Sequence, residues 1–277
     1  MQEAIRNILI PIDFSLDAAN ALWLADRFAK IHDAQVFLLN VVPSENPVGV
    51  STSKAQHMPS KERSDQAGVD LRHFVRSILT RPIHESQFLV DCGSVGDCII
   101  QAAIENEIDL IVMGTKGKDR TTPFWLGSTA AYIMEESPCH VLVVPEKARK
   151  ISIKKALCAT DLQESDPYRI WKAAQLLKAF SPELSCVHVH SSHNGTFHIS
   201  MDELKSFLTI TIPSIPLKFY EIVGITAWDS LNDFCMQNET DLLIVFKPFQ
   251  GLLKTLLHRS VSRSLLLQTT VPLLILK

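Results

Sequence analysis

Residues 109–129 read DLIVMGTKGKDRTTPFWLGST, and the glycine spacing in this stretch decides which fold the chain is expected to adopt. A predicted apolar strand, Ile108–Met113, leads into Gly114. Gly117 follows after two residues, and Gly127 after nine more. Glycine has no Cβ, so backbone N–H groups can approach an anion closely at these positions. The pattern is typical of a loop that surrounds phosphate groups.

A helix is predicted directly after this loop. Gly127, Ser128 and Thr129 open the helical run Ala130–Glu136, where free N–H groups and the positive end of the helix dipole favour phosphate. The hydroxyls of Ser128 and Thr129 lie at capping positions. The alternative is an ordinary strand–loop–helix connection with incidental glycines. The chain contains only ten glycines, which favours nucleotide binding.

Strands and helices alternate along the first half. The helical spacing of Leu22, Ala25, Phe28 and Ala29 predicts a helix from about residue 17 to residue 32. Further helices are predicted to begin near Ser60 and at Val95. The predicted strands are Ile8–Ile12, Val36–Val42, Glu85–Val90, Ile108–Met113 and His140–Val144. This alternation implies an α/β fold: a doubly wound, five-stranded parallel sheet with helices on both faces, for which we expect the strand order 3-2-1-4-5.

Strands 1 and 4 are neighbours in that order, and their outgoing connections diverge. Ligands bind at such a switch point, beyond the carboxyl ends of the strands. Asp13, after strand 1, can accept a hydrogen bond from a ligand or hold a Mg²⁺ carried by a nucleotide. The alternative is that Asp13 caps the following helix. Pro11, Ile12 and Met113 would line an apolar base pocket, although all three suit a core equally well.

The chain contains an internal repeat. IRNILIPIDF at residues 5–14 corresponds to IKKALCATDL at residues 153–162, and DLIVM at 109–113 corresponds to DLLIV at 241–245. Matches in the same order in both halves indicate domain duplication. The charged run Glu146–Lys150 is the predicted linker. The two predicted tandem domains are residues 1–146 and 151–277.

Composition excludes several classes of protein. The 277 residues suffice for two ordinary domains, and the 46% hydrophobic content supports a core. A net charge of −3 argues against nucleic-acid binding. No apolar stretch reaches the roughly 18 residues that a membrane span needs, and the N-terminal residues MQEAIRNILIPID predict no signal peptide. The six cysteines include no CxxC pair, so we expect reduced thiols and a cytoplasmic location.

The glycine motif G-x2-G-x9-G-[S/T], placed after a strand that reads DLIVMG, resembles the ATP-binding signature of the universal stress protein family. Three further segments resemble strands of that family: NILIPIDFS at Asn7–Ser15, FLLNVV at Phe37–Val42 and SPCHVLVVP at Ser137–Pro145. The resemblance is good over residues 4–146 and looser over residues 151–277. The whole chain therefore resembles a tandem universal stress protein, and the resemblance implies the same strand order.

An adenine-nucleotide site in the first half is what this resemblance implies. Val41 matches the family position that contacts adenine through its backbone. Lys116, Lys118 and Arg120 can neutralise phosphate charge, although a solvated surface position is the more ordinary interpretation of each. ATP, with or without Mg²⁺, is the expected cofactor. The expected binding residues are Pro11, Ile12, Asp13, Val41, Met113, Gly114, Gly117, Gly127, Ser128 and Thr129.

The second half departs from the pattern. After the strand at residues 241–245 the chain continues FKPFQGLLKTLLHRSVSRS, and Phe246 and Phe249 replace the first two motif glycines. The third falls at Arg259 or Val261, depending on the alignment. Large side chains should block the backbone from a triphosphate, so this half is not expected to bind ATP. Its apolar residues indicate core packing, or else an apolar ligand pocket or a protein-docking face.

Histidines are concentrated in residues 188–198, HVHSSHNGTFH. His188 and His190 share one face of a predicted strand, and Asp161 is a candidate third ligand, so Zn²⁺ binding is one interpretation. The spacing fits no standard zinc pattern. We expect no metal site here.

No catalytic motif accompanies the nucleotide site. The chain has no G-x4-G-K-[S/T] loop, no G-x-S-x-G elbow and no general base paired with a nucleophile, so at most a weak ATPase is expected. The leading hypothesis is an ATP-binding sensor or regulator of the stress response, whose loop is recognised by an unidentified regulatory protein. The alternative is a nucleotide-independent scaffold whose second half binds a protein, an apolar ligand or a metal. The family's dimers imply pairing of the two halves through their last strands as a pseudo-dimer, and a homodimer of chains stays open.

Overall fold

The computed structural model describes residues 5–43, 60–84, 87–115, 127–146, 148, 152–190, 199–247 and 271–277. Strands and helices alternate along the described residues, which confirms the predicted α/β fold. The residues divide into two compact units, and the boundary between Val141 and Leu142 lies inside a strand. The assignment of domains to residues 1–146 and 151–277 stays a prediction.

The first half has the predicted strand order. Its elements are β1 (Asn7–Pro11), α1 (Leu16–His32), β2 (Gln35–Val42), α2 (Ser60–Ile78), β3 (Phe88–Cys92), α3 (Val95–Glu105), β4 (Leu110–Gly114), α4 (Ser128–Glu136) and β5 (His140–Val144). They are arranged β3-β2-β1-β4-β5. β1 runs parallel to β2 and β4, and β2 runs parallel to β3. β3 extends beyond its predicted end at Val90 because Asp91 and Cys92 pair with Val41 and Val42.

Helices cover both faces of this sheet. α1 packs with α2, and α3 packs with α4. The chain moves outward from β1 to β3 and then crosses back to β4. Since crossovers between parallel strands are right-handed, the reversal puts α3 and α4 on the face opposite α1 and α2. The predicted apolar stripe of α1, Leu22, Ala25, Phe28 and Ala29, is buried.

The second half repeats this arrangement. Its elements are β6 (Lys155–Ala159), α5 (Asp166–Leu177), β7 (Glu183–His190), α6 (Met201–Thr211), β8 (Leu217–Val223), α7 (Ala227–Gln237), β9 (Leu242–Phe246) and β10 (Leu273–Leu276). Their order is β8-β7-β6-β9-β10, which is again 3-2-1-4-5. The duplication inferred from the sequence therefore extends to the sheet topology.

Equivalent carboxylates join the first and fourth strands of each half in the same way. Asp109 Oδ2 accepts hydrogen bonds from the backbone N–H groups of Arg6 and Asn7, at 2.7 and 3.0 Å. Asp241 Oδ2 accepts from Lys154 and Lys155, at 2.8 and 2.9 Å. Each aspartate precedes the fourth strand of its half and binds the start of the first strand. The repeated aspartate is thus explained by a repeated structural bond.

The cysteines are thiols, and most of them are buried. Of the six, Cys92 is exposed and Cys139 is half-buried. Burial raises the pKa of the Cys186 and Cys235 thiols to about 12, so both stay protonated. In the described part of the chain, no helix is both long and apolar enough to cross a membrane.

We expect Asp109→Ala to lower the free energy of unfolding by about 1–2 kcal/mol, because two backbone N–H groups lose their acceptor. Asp65→Ala, which removes an exposed carboxylate from α2, is the control and should change it by less than about 0.5 kcal/mol. Urea denaturation followed by circular dichroism measures both. Equal effects of the two substitutions would contradict the role assigned to Asp109.

Candidate functional site

The carboxyl ends of β1 and β4 lie side by side in the first half. Ile8 pairs with Leu110, and Leu9 pairs with Ile111. β1 leads into α1 and β4 leads towards α4, so the two outgoing connections go to opposite faces of the sheet. This is the predicted switch point, the position at which ligands bind to doubly wound sheets.

Asp13 organises the connection after β1. Its Oδ1 accepts a hydrogen bond from Ser15 N at 3.0 Å. Ser15 Oγ in turn accepts from Ala18 N at 3.1 Å, which makes Ser15 the N-cap of α1. The alternative role of Asp13 as the helix cap is wrong, because Asp13 lies two residues before the cap and closes a tight turn. Its half-buried carboxylate lies at the carboxyl end of β1.

Asn40, on β2, holds the same connection from the neighbouring strand. Its Nδ2 donates to the carbonyl oxygen of Ile12 at 2.7 Å, and Ile12 N donates to the carbonyl oxygen of Leu39 at 2.8 Å. Asn40 is buried, so this bond also satisfies a side-chain amide that would otherwise be costly to desolvate. Asn40 was not among the residues predicted from the sequence. Its signal was a polar residue inside the apolar run FLLNVV.

The glycine loop is closed at its base. Gly127 N donates to the carbonyl oxygen of Thr115 at 2.8 Å, which joins the two ends of the loop. Thr115 Oγ1 donates to Asp17 Oδ2 at 2.8 Å, and both side chains are buried. Thr115 therefore connects the end of β4, the start of α4 and the first turn of α1. Neither Thr115 nor Asp17 was predicted.

The residue at the N-cap of α4 has no side chain with which to cap the helix. Gly127 is its N-cap residue, with φ −57° and ψ 145°, a conformation open to any residue. The backbone N–H groups of Ser128 and Thr129 open the helix, with Ser128 exposed and Thr129 half-buried. This positively polarised helix end, with a glycine at its N-cap, is suited to an anion.

Gly114 has a packing role that is independent of any ligand. A Cβ at Gly114 would lie 2.5 Å from the Cβ of Asp17 and 2.9 Å from its carbonyl carbon. Only a glycine allows α1 to pack this closely against the end of β4. At Gly127 a Cβ would lie 3.3 Å from the carbonyl oxygen of Thr115, a milder conflict.

The other predicted residues of the site that the structure describes lie at the same edge of the first-half sheet. Ile12 and Met113 are buried, and Pro11 and Val41 are half-buried. Gly117 lies outside the described residues, together with Lys116, Lys118 and Arg120.

The second half keeps the framework of the site but not its glycines. The carbonyl oxygen of Thr160 accepts a hydrogen bond from His188 Nδ1 at 2.8 Å, as that of Ile12 does from Asn40. Thr160 Oγ1 also donates to Asp166 Oδ2 at 2.7 Å. Phe246 takes the position of Gly114 and is buried. The remaining motif positions, Phe249, Gly251, Arg259 and Val261, lie outside the described residues.

A longer connection accompanies the bulky Phe246. Residues 12–15 separate β1 from α1, whereas residues 160–165 separate β6 from α5. The first helix therefore begins two residues later in the second half than in the first. With Phe246 in place of Gly114, the close helix–glycine contact of the first half has no counterpart there.

The histidine cluster forms a polar contact network. The rings of His188 and His190 meet edge to face with centroids 4.7 Å apart, and His190 Nε2 lies 2.7 Å from Glu221 Oε2. Burial lowers the pKa of His188. Within the described residues, no group of three or more His, Cys, Asp or Glu side chains is arranged to hold a metal ion. The further histidines His193 and His198 lie outside those residues.

Comparison with known proteins gives a consistent result. The model of the Universal stress protein family matches residues 4–145. A universal stress protein from Synechocystis sp. is 34% identical over 140 residues, which are 50% of this chain and 85% of that protein. A putative universal stress protein from Staphylococcus aureus is 29% identical over 162 residues, 57% of this chain and 95% of that protein.

A solved structure is similar in fold along both halves. The crystal structure of a universal stress protein from Archaeoglobus fulgidus aligns with a TM-score of 0.73 and 19% identity. The alignment covers 98% of this chain and 96% of that chain. At this identity the likeness concerns the fold alone.

We expect Gly114→Ala to lower the free energy of unfolding by about 1–3 kcal/mol, because the new methyl group would overlap the backbone and Cβ of Asp17. Gly127→Ala is the matched comparison and should cost less, since its methyl group meets only one carbonyl oxygen. Urea denaturation without added nucleotide measures both. A larger loss for Gly127→Ala would contradict the packing role of Gly114.

We also expect Asp161→Asn to stabilise the protein at pH 7.5 but hardly at pH 4. Burial raises the pKa of Asp161 to about 6, and the charge of Asp166 adds to the shift. An ordinary aspartate has a pKa of 3.8. The folded state therefore loses stability as the pH rises through 6, and the amide avoids this loss. The gain at pH 7.5 should be roughly 1–3 kcal/mol.

Denaturation curves at the two pH values measure this effect. Asp65→Asn, at an exposed position of α2, is the control and should show no comparable dependence on pH. The same stabilisation at pH 4 and pH 7.5 would exclude titration of Asp161 as the cause.

Proposed function

Because the chain belongs to the universal stress protein family, we propose that it is an ATP-binding regulator with one competent nucleotide site, in its first half. The observation that carries the proposal is the N-terminus of α4, which lies at the switch point and has a glycine as its N-cap. It is anchored there by the hydrogen bond from Gly127 N to the carbonyl oxygen of Thr115. The helix end offers N–H groups to phosphate, and Gly127 has no side chain that would compete for them.

Each predicted residue has a role in this proposal. Ser128 and Thr129 bind phosphate oxygens through backbone N–H groups and hydroxyls. The backbone of Val41 contacts adenine, and Pro11, Ile12 and Met113 provide the apolar surface beneath the base. Gly114 and Gly117 would let the loop backbone approach phosphate. Gly114 has its packing role in addition.

Asp13 is the residue suited to a Mg²⁺ that accompanies ATP. Its carboxylate lies at the carboxyl end of β1, and Oδ1 already accepts the Ser15 N–H bond. Oδ2 makes no hydrogen bond within the described residues, which suits the one or two carboxylate contacts that Mg²⁺ usually takes beside phosphate. When bound, the ion would neutralise phosphate charge.

Regulation, rather than catalysis, fits the way the site is connected. The base of the loop is linked through Thr115 to Asp17 on α1, so a nucleotide bound at the loop also acts on the first helix. A regulatory protein would recognise the loop in its nucleotide-bound shape. The second half does not share the site, since Phe246 occupies the position of Gly114.

A second candidate function is supported by exposed apolar residues in the second half. Ile210, Val223 and Ile225 are 79%, 87% and 88% exposed. Single apolar residues are normal on a protein surface, but exposures this high favour a contact with another protein. In this alternative the chain is a nucleotide-independent scaffold.

Pairing of the two halves through β5 and β10, and a cytoplasmic location, stay predictions.

We expect calorimetric titration with ATP·Mg to give micromolar binding to the full chain. Gly127→Arg should abolish it, because a long cationic side chain would cover the N-terminus of α4. Ser165→Arg is the matched control: it places the same side chain at the exposed N-cap of α5 in the second half and should leave the affinity unchanged.

Absence of binding by the unmodified protein would refute the proposal and favour the scaffold alternative. Equal loss of binding in Gly127→Arg and Ser165→Arg would show that the site does not lie at α4. Retention of ATP binding by a Gly127→Arg protein that unfolds normally would have the same meaning.

A further inference from the structure

α4 makes a second close contact, one turn beyond its proposed phosphate-binding end. A Cβ on Gly96 of α3 would lie 2.5 Å from Tyr132 Cδ1 and 2.8 Å from Tyr132 Cε1. Side-chain carbons do not approach one another this closely, so the Tyr132 ring rests directly on the bare backbone of Gly96. Any larger residue at position 96 must displace the ring.

The hydroxyl group of Tyr132 fixes the orientation of the ring. It donates to Asp97 Oδ1 at 2.8 Å. Hydrogen bonds from Ser94 and Tyr132 lower the pKa of Asp97, so the acceptor stays ionised near neutral pH. The Tyr132 ring is 41% exposed. The contact between the helices therefore combines close packing with a charge-assisted hydrogen bond at the protein surface.

The length of α4 makes this contact relevant to the nucleotide site. The helix has nine residues, Ser128–Glu136. Tyr132 lies four residues after Ser128, which is slightly more than one helical turn, or roughly 6 Å along the axis. A helix this short moves as one body, so a displacement at Tyr132 is passed to the N–H groups of Ser128 and Thr129. Among the described residues, Gly127 is bonded to Thr115, and the contact with α3 is a second constraint on the helix.

We propose that the contact of Tyr132 with Gly96 and Asp97 regulates the nucleotide site by setting the position of the N-terminus of α4. This inference rests on the function proposed above. Tyr132 is a positioning residue: it faces α3, and its hydroxyl is engaged by Asp97 instead of the ligand. Because the contact is at the surface, another molecule that moves the Tyr132 ring would change nucleotide affinity without entering the site.

Four variants of the full chain test the inference: three change the contact, and the fourth is a control. Gly96→Ala pushes the ring away, and we expect it to weaken ATP·Mg binding about fivefold or more, the range usual for coupled sites. Gly96→Ala combined with Tyr132→Ala removes the overlapping ring and should recover most of that loss. Tyr132→Phe keeps the ring on Gly96 and should weaken binding by less than about threefold, the scale of one surface hydrogen bond.

Gly68→Ala is the matched control. It also replaces a helical glycine, on α2, but its Cβ would meet only ordinary contacts at 3.6 Å or more. It should leave ATP affinity unchanged. Urea denaturation of all four variants separates weaker binding from unfolding. No recovery in the double variant, or equal weakening by Gly68→Ala, would overturn the inference.

A second readout tests the inference without nucleotide. In the free protein, Gly96→Ala should shift the backbone amide signals of Gly127, Ser128 and Thr129 in nuclear magnetic resonance spectra, and the double variant should reverse the shifts. Shifts that reverse while the unmodified protein fails to bind ATP would uphold the positioning role and refute the proposed function alone. Intact ATP binding with unshifted amides would refute the inference alone.

Discussion

Thr115 is the residue on which the first-half site depends. Its carbonyl oxygen binds Gly127 N, and its hydroxyl binds Asp17. These two bonds hold the two ends of the loop, and with them α4 and α1, at the end of β4. A buried bond to a carboxylate is among the stronger hydrogen bonds in proteins, and leaving Asp17 unsatisfied there would be costly. The geometry of the helix end is therefore a consequence of packing that exists before any ligand binds.

Glycine serves two purposes in this arrangement. At Gly114 the absence of a Cβ brings α1 within contact of β4, and at Gly96 it lets the Tyr132 ring rest on α3. The Gly114 contact lies on the face of the sheet that carries α1. The Gly96 contact lies on the opposite face, between α3 and α4. The proposed site is thus held between two close backbone contacts, one structural at Gly114 and one open to solvent at Tyr132.

Comparison of the two halves separates framework from function. Asp109 and Asp241 accept hydrogen bonds from the starts of equivalent strands, and Asn40 and His188 donate to equivalent carbonyl oxygens. These bonds survive duplication because each satisfies a backbone group that the sheet leaves exposed. Phe246 and the later start of α5 alter the part that corresponds to the proposed nucleotide site. A duplicated domain can therefore keep its fold while the surroundings of its switch point change.

The order of elements, the duplication and the strand order followed from the sequence alone, because hydrophobic periodicity and the right-handed crossover rule act locally. The amino-acid pattern also located the loop and its helix. It did not reveal the hydrogen bond between Thr115 and Asp17, which are 98 residues apart. Nor did it reveal the bond between Asn40 and Ile12, which are 28 residues apart. Nor did it show that Ser15 caps α1 or that Tyr132 packs on Gly96. Those contacts join distant segments, so only the tertiary structure decides which side chains meet, and only there does the second role of Gly114 become visible.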